Sequence, residues 1–267
     1  MISIDQIFNN QYYKKSNWIY LLIPFSIIFY CISISKNYLY KNGFLKRIKI
    51  KVPVLIIGNI TLGGTGKTPL ALNLITKFLN EGLNPALISR GYGGSAKNIT
   101  EVHESSNARS VGDEALLIKA KSKIPVFIGK NRVNVAKILL KKYPKTSIII
   151  SDDGLQHHRL ARDYEIIVVD SKRKFGNGFI FPAGPLRESR SRLNLVDAVV
   201  YKGSINNSKF YQMKYITKHF KNLVTSKKIL FEGIQDKKIV AITAIGNPES
   251  FFSTLEGYNL EFKKVIF

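Results

Sequence analysis

Apolar runs of strand length alternate with segments of helical apolar spacing through residues 53–201 of this 267-residue chain. Glycine, proline or charged residues bound each run, as they bound buried strands. The runs that predict strands lie at 54–57, 85–89, 125–128, 147–150, 164–170 and 196–201. The segments that predict helices between them lie at about 68–81, 113–122 and 132–142. This alternation predicts an α/β fold, a mostly parallel sheet with helices on both faces.

The first predicted strand runs into a glycine-rich turn with the spacing of a phosphate-binding P-loop. Residues 53–69 read PVLIIGNITLGGTGKTP, so that strand, glycine loop, Gly-Lys-Thr and helix follow in order. In such a loop the backbone N–H groups and the helix N-terminus surround phosphate oxygens. The residues expected to bind the nucleotide are Thr61, Gly63, Gly64, Thr65, Gly66, Lys67 and Thr68. The fold class predicted is therefore that of a P-loop NTPase.

Two residues of the loop carry specific expectations. Lys67 is expected to reach the β- and γ-phosphates, and the Thr68 hydroxyl to bind Mg²⁺. Thr61 stands where the consensus has its first glycine, and Gly63 and Gly64 are expected to supply the flexibility instead.

Charged residues at later strand ends form a second group of candidates. Asp152 and Asp153 end an apolar strand, which is the Walker B pattern for holding Mg²⁺. Arg90 begins an Arg-Gly-Tyr-Gly-Gly loop and fits either an anion contact or a solvated turn. Asp113 fits either a helix N-cap or a chemical role, and Arg132 either a phosphate contact or a surface charge. Because ligands bind at the carboxyl edge of parallel sheets, Lys67, Arg90, Asp152 and the loop 175–188 are expected together at that edge.

The charge balance favours an anionic partner. The chain has 41 Lys and Arg against 18 Asp and Glu, a net charge of +23. A nucleic acid, an anionic membrane surface and a phosphorylated substrate all fit this excess, and a lysine-rich proteome is the plainer explanation. A single cysteine, Cys31, excludes an intrachain disulfide and fits a reducing compartment.

An uncharged apolar segment covers residues 18–35, with lysines on both sides. It fits a membrane span, an interfacial anchor or a buried helix. Pro24 and several serines weaken the spanning interpretation, so we expect a helix in the membrane surface with its basic flanks on anionic headgroups. The domains predicted are a membrane-associating segment 1–50, a P-loop kinase core 51–205, and a small, apparently truncated subdomain 206–267.

These motifs occur together, in this order, in one known family. They are Gly58-Asn59-Ile60-Thr61 before the P-loop, Ser89-Arg90-Gly91-Tyr92-Gly93, Gly112-Asp113-Glu114, Asp152-Asp153-Gly154-Leu155-Gln156-His157, Phe175-Gly176-Asn177-Gly178, and Pro182-Ala183-Gly184-Pro185-Leu186-Arg187-Glu188. The chain resembles the tetraacyldisaccharide 4'-kinases, the lipid A kinases of Gram-negative bacteria, in which Thr61 is the usual residue. The resemblance implies ATP-dependent phosphorylation of the 4'-hydroxyl of a tetraacyldisaccharide 1-phosphate at the cytoplasmic face of the inner membrane.

The resemblance also implies roles for individual residues. Lys67, Asp113 and Asp153 are the implied catalytic residues, and Asp113 helps to deprotonate the acceptor hydroxyl. The implied metal ligands are Thr68, Asp152, Asp153 and Glu188. The implied substrate or phosphate contacts are Arg90, Arg132, Asn177 and Arg187. ATP and Mg²⁺ are the cofactors expected, with an acylated disaccharide phosphate lipid and a membrane surface as partners and no nucleic acid.

One departure affects the expected activity. The family continues past this point with a histidine that pairs with the catalytic aspartate, and His103, His157, His158 and His219 do not match that position. We therefore expect Mg-ATP binding with weak turnover from these 267 residues. The alternative function is a P-loop NTPase that binds nucleic acid, for which aromatic residues among the lysines of 202–238 are the supporting feature. A GTP switch would need an Asn-Lys-x-Asp sequence, which the chain does not contain.

Overall fold

The computed structural model describes residues 12–13, 17–205, 208–217, 219–234, 237–245 and 248–266. The chain forms two compact units, Met1–Met213 and Lys214–Phe267. The first unit extends past residue 205, where the sequence predicts the end of the kinase core. The predicted three-part division stays a prediction.

A sheet of eight strands, counted over the described residues, forms the centre of the first unit. Its strands are β1 Val54–Gly58, β2 Pro85–Ser89, β3 Thr100–Glu101, β4 Val126–Ile128, β5 Ile148–Asp152, β6 Tyr164–Asp170, β7 Ala198–Lys202 and β8 Tyr211–Met213. Their spatial order is β3-β4-β2-β5-β1-β6-β7-β8. Strand β3 is antiparallel to β4, and the other neighbouring pairs are parallel. The predicted mostly parallel sheet is confirmed.

Strand β1 lies between β5 and β6 and is buried along its whole length. Ile57 is in register with Asp152 of β5, so the P-loop and the aspartate pair leave the sheet at the same edge. Burial on both faces requires near-continuous apolar sequence, which explains the run Val-Leu-Ile-Ile.

Helices cover both faces of this sheet. The helices of the first unit are α1 Ile23–Lys41, α2 Lys67–Asn80, α3 Ala108–Val111, α4 Asp113–Ser122 and α5 Arg132–Lys142. One apolar cluster joins Leu55 and Ile57 to Leu70 of α2 and Ile118 of α4. The cluster on the other face joins Ile56 and Ile88 to Val135 and Leu139 of α5. The alternating side chains of β1 thus anchor the P-loop helix on one face and α5 on the other.

The N-terminal apolar segment forms a 3₁₀ turn, Asn17–Leu22, followed by α1. Over the described residues, Trp18–Lys41 is the one stretch long and apolar enough to cross a membrane, and only 11% of its most apolar window is buried. Its start packs on the irregular loop that follows β6, through a small cluster of Tyr12, Ile19 and Ala183.

The second unit contains two short sheets. Its strands are β9 Phe220–Lys221, β10 Lys228–Ile229, β11 Ile239–Thr243 and β12 Phe262–Ile266, and helix α6 is Pro248–Glu256. Strands β11 and β12 are parallel and α6 connects them, with Phe252 and Leu255 buried beneath.

Three elements of the first unit have no counterpart among the strands and helices predicted above. The polar stretch 95–112 contains β3 and α3. Strand β8 lies in the basic stretch after 202 and adds an edge to the main sheet. Both strands are two or three residues long, so neither is long enough to show an apolar period.

Candidate active site

The glycine loop turns from β1 into α2 through a left-handed residue. Gly66 has a φ of 98° and immediately precedes Lys67, the first residue of α2. A side chain is strained at that angle, so glycine is required there. Asn59 holds the loop from inside, because its amide donates to the carbonyl of Thr61 at 2.7 Å. Thr68 is half-buried in the first turn of α2, and Gly63 and Gly64 are exposed.

Thr61 does not wrap around the loop as the consensus glycine does. It is buried and forms an antiparallel bridge with Leu186. The amide of Leu62 donates to Pro185 at 2.7 Å, and that of Arg187 donates to Ile60 at 2.7 Å. This extended pairing suits a β-branched residue and explains why glycine is not needed at this position. It also joins the P-loop to the segment that carries Arg187 and Glu188.

A cluster of three charged side chains lies beside the loop. Asp153 is 3.4 Å from the Lys67 ammonium and 3.3 Å from the Arg187 guanidinium. Burial works to raise the pKa of Asp153, but Lys67 and Arg187 outweigh it and hold the pKa below its ordinary value. Asp153 has a φ of 50°, an uncommon angle that aspartate tolerates better than most residues. The structure thus brings together two of the three predicted catalytic residues.

Asp152 is fully buried behind this cluster. Neither carboxylate oxygen has a hydrogen-bond partner among the residues that the structure describes. Burial raises the pKa of Asp152 to about 7, and the charge of Lys67 opposes part of that rise. A buried carboxylate without a donor is costly, so a cation is the natural partner for these oxygens.

Arg132 is the buried cation of the site. It is 4% exposed at the start of α5, and one of its terminal amino groups donates to Gly129 at 2.9 Å. Its Nε lacks a hydrogen-bond partner within the described part of the chain. Burial lowers the pKa of Arg132 to about 10, while the charges of Asp153 and Asp152 favour its charged form. The surface-charge interpretation of Arg132 is wrong.

Asp113 and the Arg90 loop lie together. Gly112 is the N-cap of α4, so Asp113 is the first helical residue and the N-cap interpretation of it is wrong. A Cβ on Gly112 would lie 2.4 Å from the carbonyl oxygen of Tyr92, which shows how closely the loop packs on this turn. Asp113 and Arg90 are both exposed. Asp113 is therefore accessible to an acceptor, and it lies at the positive end of a helix.

Glu188 and Asn177 lie in the irregular loop after β6. Glu188 is buried, accepts a hydrogen bond from Gln156 at 2.8 Å and pairs with Arg192 at 3.4 Å. The Asn177 amide donates to Ala183 at 2.8 Å and accepts from the Phe179 amide at 3.1 Å. Asn177 therefore shapes the loop, and its contact with substrate stays a prediction.

A family model described as LpxK, tetraacyldisaccharide-1-P 4'-kinase, matches residues 18–267. The chain belongs to this 4'-kinase family.

Curated relatives agree with the family model. A tetraacyldisaccharide 4'-kinase of Methylobacillus flagellatus is 39% identical over 259 residues, covering 97% of this chain and 77% of the relative. One of Mannheimia succiniciproducens is 41% identical over 254 residues, covering 95% and 77%. Among solved structures, LpxK from Aquifex aeolicus in complex with ATP matches with a TM-score of 0.78 and 26% identity, over 94% of this chain and 82% of that one.

Two features of this 4'-kinase were missed in the sequence. Gln156 and Arg192 both hold Glu188, and neither has a motif that identifies its partner. Within the described residues no group of three or more His, Cys, Asp or Glu side chains forms a metal cluster. The predicted metal ligands Asp152, Asp153 and Glu188 therefore do not form one such group in the described structure.

Proposed function

We propose that this chain is an ATP-dependent kinase that phosphorylates the 4'-hydroxyl of a tetraacyldisaccharide 1-phosphate, a lipid A precursor. One observation carries the proposal: in a member of this family, Lys67 lies within 3.4 Å of Asp153 where the P-loop and β5 leave the sheet. The two curated relatives described above share this activity in name, and the Aquifex protein holds ATP.

Phosphoryl transfer needs little covalent chemistry from the protein and much charge neutralisation. The P-loop N–H groups and the N-terminus of α2 face the phosphates. Lys67 and Arg187 supply positive charge at the same edge, and Arg132 supplies a buried one. Together they would hold the γ-phosphate in place and offset the charge that spreads over its oxygens in the transition state.

The residues proposed to hold Mg²⁺ are Thr68, Asp152, Asp153 and Glu188, whose side chains supply oxygen ligands. Among the described residues, the Asp152 carboxylate has no hydrogen-bond partner, and this observation favours a cation there. Carboxylate and hydroxyl oxygens are the ligands that Mg²⁺ prefers. When bound, Mg²⁺ neutralises phosphate charge. The residues of the chain bind and orient the phosphates and take the proton of the acceptor hydroxyl.

Asp113 is proposed as the group that takes the proton of the acceptor hydroxyl. It is exposed, it starts α4, and the Arg90 loop packs against the same turn. An exposed carboxylate beside an arginine-bearing loop can accept a proton from a sugar hydroxyl while the arginine faces a phosphate. Arg90 is thus proposed as a substrate contact.

The membrane is proposed as the place where enzyme and lipid meet. Helix α1 exposes apolar side chains such as Phe25, Ile28 and Ile32, which are 58–63% exposed. An acylated acceptor lies in a bilayer, where an exposed apolar helix inserts and its basic flanks bind anionic headgroups. The location proposed is the cytoplasmic face of the inner membrane of a Gram-negative bacterium.

The activity is tested with ATP labelled on its γ-phosphate and tetraacyldisaccharide 1-phosphate in mixed micelles. Lys67→Ala removes the phosphate-binding charge, so we expect label transfer to fall by about 10²-fold or more. Lys77→Ala, at the exposed far end of the same helix, is the matched control and should transfer normally. Transfer by Lys67→Ala at the rate of the unmodified chain would contradict the proposal.

A further inference from the structure

A buried set of alternating charges lies beside the candidate active site. It consists of Arg162, Glu165, Arg192 and Glu188, which we call the Glu165 relay. Glu165 accepts a hydrogen bond from Arg162 at 2.8 Å and another from Arg192. Arg192 in turn pairs with Glu188 at 3.4 Å. All four side chains are 13% exposed or less.

One end of the relay holds the turn that follows the aspartate pair. Arg162 donates to the carbonyl of Leu155 at 3.0 Å and to that of His157 at 2.7 Å. Gln156 lies between these two carbonyls, and its amide donates to Glu188 at 2.8 Å. The contacts therefore close into a ring that runs from Glu188 through Arg192, Glu165 and Arg162 to Gln156 and back.

The ring connects strand β6 to the irregular loop that follows it. Glu165 lies in β6, in register with Ile56 of β1, the strand that leads into the P-loop. Glu188 lies in the loop after β6, which has no strand of its own between 171 and 189 in the structure as described. Each Glu188 oxygen has its own donor, Gln156 for one and Arg192 for the other. The orientation of the Glu188 carboxylate is thus set by contacts that lead to a strand of the sheet.

The relay is balanced in charge, with two arginines and two glutamates. Burial alone would raise the pKa of Glu165, but hydrogen bonds from Arg162 and Arg192 outweigh burial and keep the pKa below its ordinary value. Removing one member of a buried ion pair leaves its partner uncompensated. A change at Glu165 is therefore expected to reach Glu188 through Arg192 without any change in the P-loop.

We propose that Glu165 and Arg192 are positioning residues, which fix the Glu188 carboxylate in the orientation needed for divalent-metal binding with the nucleotide. The inference rests on the proposed function, in which Glu188 contributes to the Mg²⁺ site. Neither residue touches the substrate, and both act through Glu188. Substitution of residues that orient a metal ligand typically costs about 10–100-fold in metal affinity.

The test measures Mn²⁺ affinity directly, by electron paramagnetic resonance, with a non-hydrolysable ATP analogue present at saturation. Glu165→Gln and Arg192→Met are expected to weaken Mn²⁺ binding by about 10-fold or more, with the affinity for the analogue alone unchanged. Arg192→Lys, which keeps the charge, should recover part of the loss. Lys142→Met is the control, since it removes the partner of Glu101 in an ion pair on the far edge strand.

The outcomes separate the inference from the function on which it rests. Normal Mn²⁺ binding by Glu165→Gln and Arg192→Met, beside weakened binding by Glu188→Gln, would contradict the positioning role of Glu165 and Arg192. The kinase proposal would remain intact. Normal binding by Glu188→Gln itself would remove Glu188 from the metal site. Thermal unfolding monitors folding, and if Arg192→Met does not fold, Arg192→Lys decides, because only a positioning role predicts a change in its Mn²⁺ affinity.

Discussion

At the scale of single residues, Asp152 is a buried carboxylate that costs stability. Its carboxylate is 1% exposed, and no donor reaches either oxygen within the described chain. The neighbouring Asp153, in contrast, has two cationic partners. A carboxylate that is left uncompensated in this way lowers stability and is kept for a function that needs it.

We therefore predict that Asp152→Asn stabilises the metal-free protein while it abolishes kinase activity. Loss of the buried charge should raise the free energy of unfolding by about 1 kcal/mol, or the Tm by roughly 2–4 °C. Calorimetry in a chelating buffer measures this. Asp163→Asn is the control, because Asp163 already accepts the Val54 amide at 2.8 Å, and it should give no gain. An unchanged or lower Tm for Asp152→Asn would refute the prediction.

A second residue-scale prediction concerns pH. Burial, with the charges of Arg162 and Lys36, lowers the pKa of His158 to about 4, against an ordinary value of 6.5. Arg192 and Arg47 also face it. Between these two pKa values the unfolded chain binds the proton and the folded chain does not. Stability is therefore expected to fall as the pH falls from 6.5 towards 4.

His158→Phe keeps a ring beside Tyr40 and removes that proton site. We expect the variant to lose less stability than the unmodified chain between pH 7 and pH 5. His157, whose pKa burial also lowers to about 4, keeps its own contribution, and Asp152, whose pKa burial raises to about 7, contributes with the opposite sign. Denaturant unfolding at both pH values is the measurement. His103→Phe, at an exposed position, should leave the slope intact.

At the scale of elements, α1 braces the active-site loop. The Ser26 hydroxyl donates to the Ile180 carbonyl at 2.8 Å and accepts the Ala183 amide at 2.9 Å. Phe29 packs edge-on against Phe181 at 5.6 Å in the same contact. The loop held in this way continues directly into Arg187 and Glu188.

We predict that Ser26→Ala lowers kinase activity several-fold without changing membrane binding. The substitution leaves the buried amide of Ala183 without its partner, at a cost of about 1–3 kcal/mol, and so loosens the loop. Ser35→Ala, on the exposed side of α1, is the matched control. The measurements are label transfer and co-sedimentation with vesicles. Equal activity of Ser26→Ala and Ser35→Ala would contradict the proposal that α1 braces the loop through Ser26.

The sequence predicted those elements whose signal is local. The apolar run of β1, the glycine turn and the strand ending in Asp152 can each be interpreted alone, and the mostly parallel sheet they predict is confirmed. Contacts between distant residues could not be predicted. Thr61 pairs with Leu186, and Glu165 joins two arginines, through a topology that no short pattern contains.

At the scale of the whole molecule, the charge of +23 agrees with an anionic lipid partner. The nucleic-acid alternative rested on the same charge and is disfavoured by the family, whose named substrate is a phosphorylated lipid. That no nucleic acid binds stays a prediction.

Membrane binding should have an electrostatic and an apolar part. We predict that binding to anionic vesicles weakens as salt rises, since each Lys or Arg near the surface contributes about 1 kcal/mol and is screened. Ile28→Asp with Ile32→Asp on α1 should weaken binding at every salt concentration. Ile138→Asp, on the exposed side of α5, should not. Co-sedimentation that is indifferent to both salt and the α1 substitutions would exclude α1 as the anchor.

If α1 binds the membrane as proposed, its contact with the 180–183 turn makes it more than a tether. A tether only keeps an enzyme near a surface, and any other anchor of equal affinity could replace it. An anchor that is hydrogen-bonded to the loop before Arg187 and Glu188 would set the height and tilt of that loop above the bilayer. Exchanging α1 for an unrelated hydrophobic helix would then preserve location and lose alignment. The depth of the acceptor hydroxyl would become part of what the enzyme recognises.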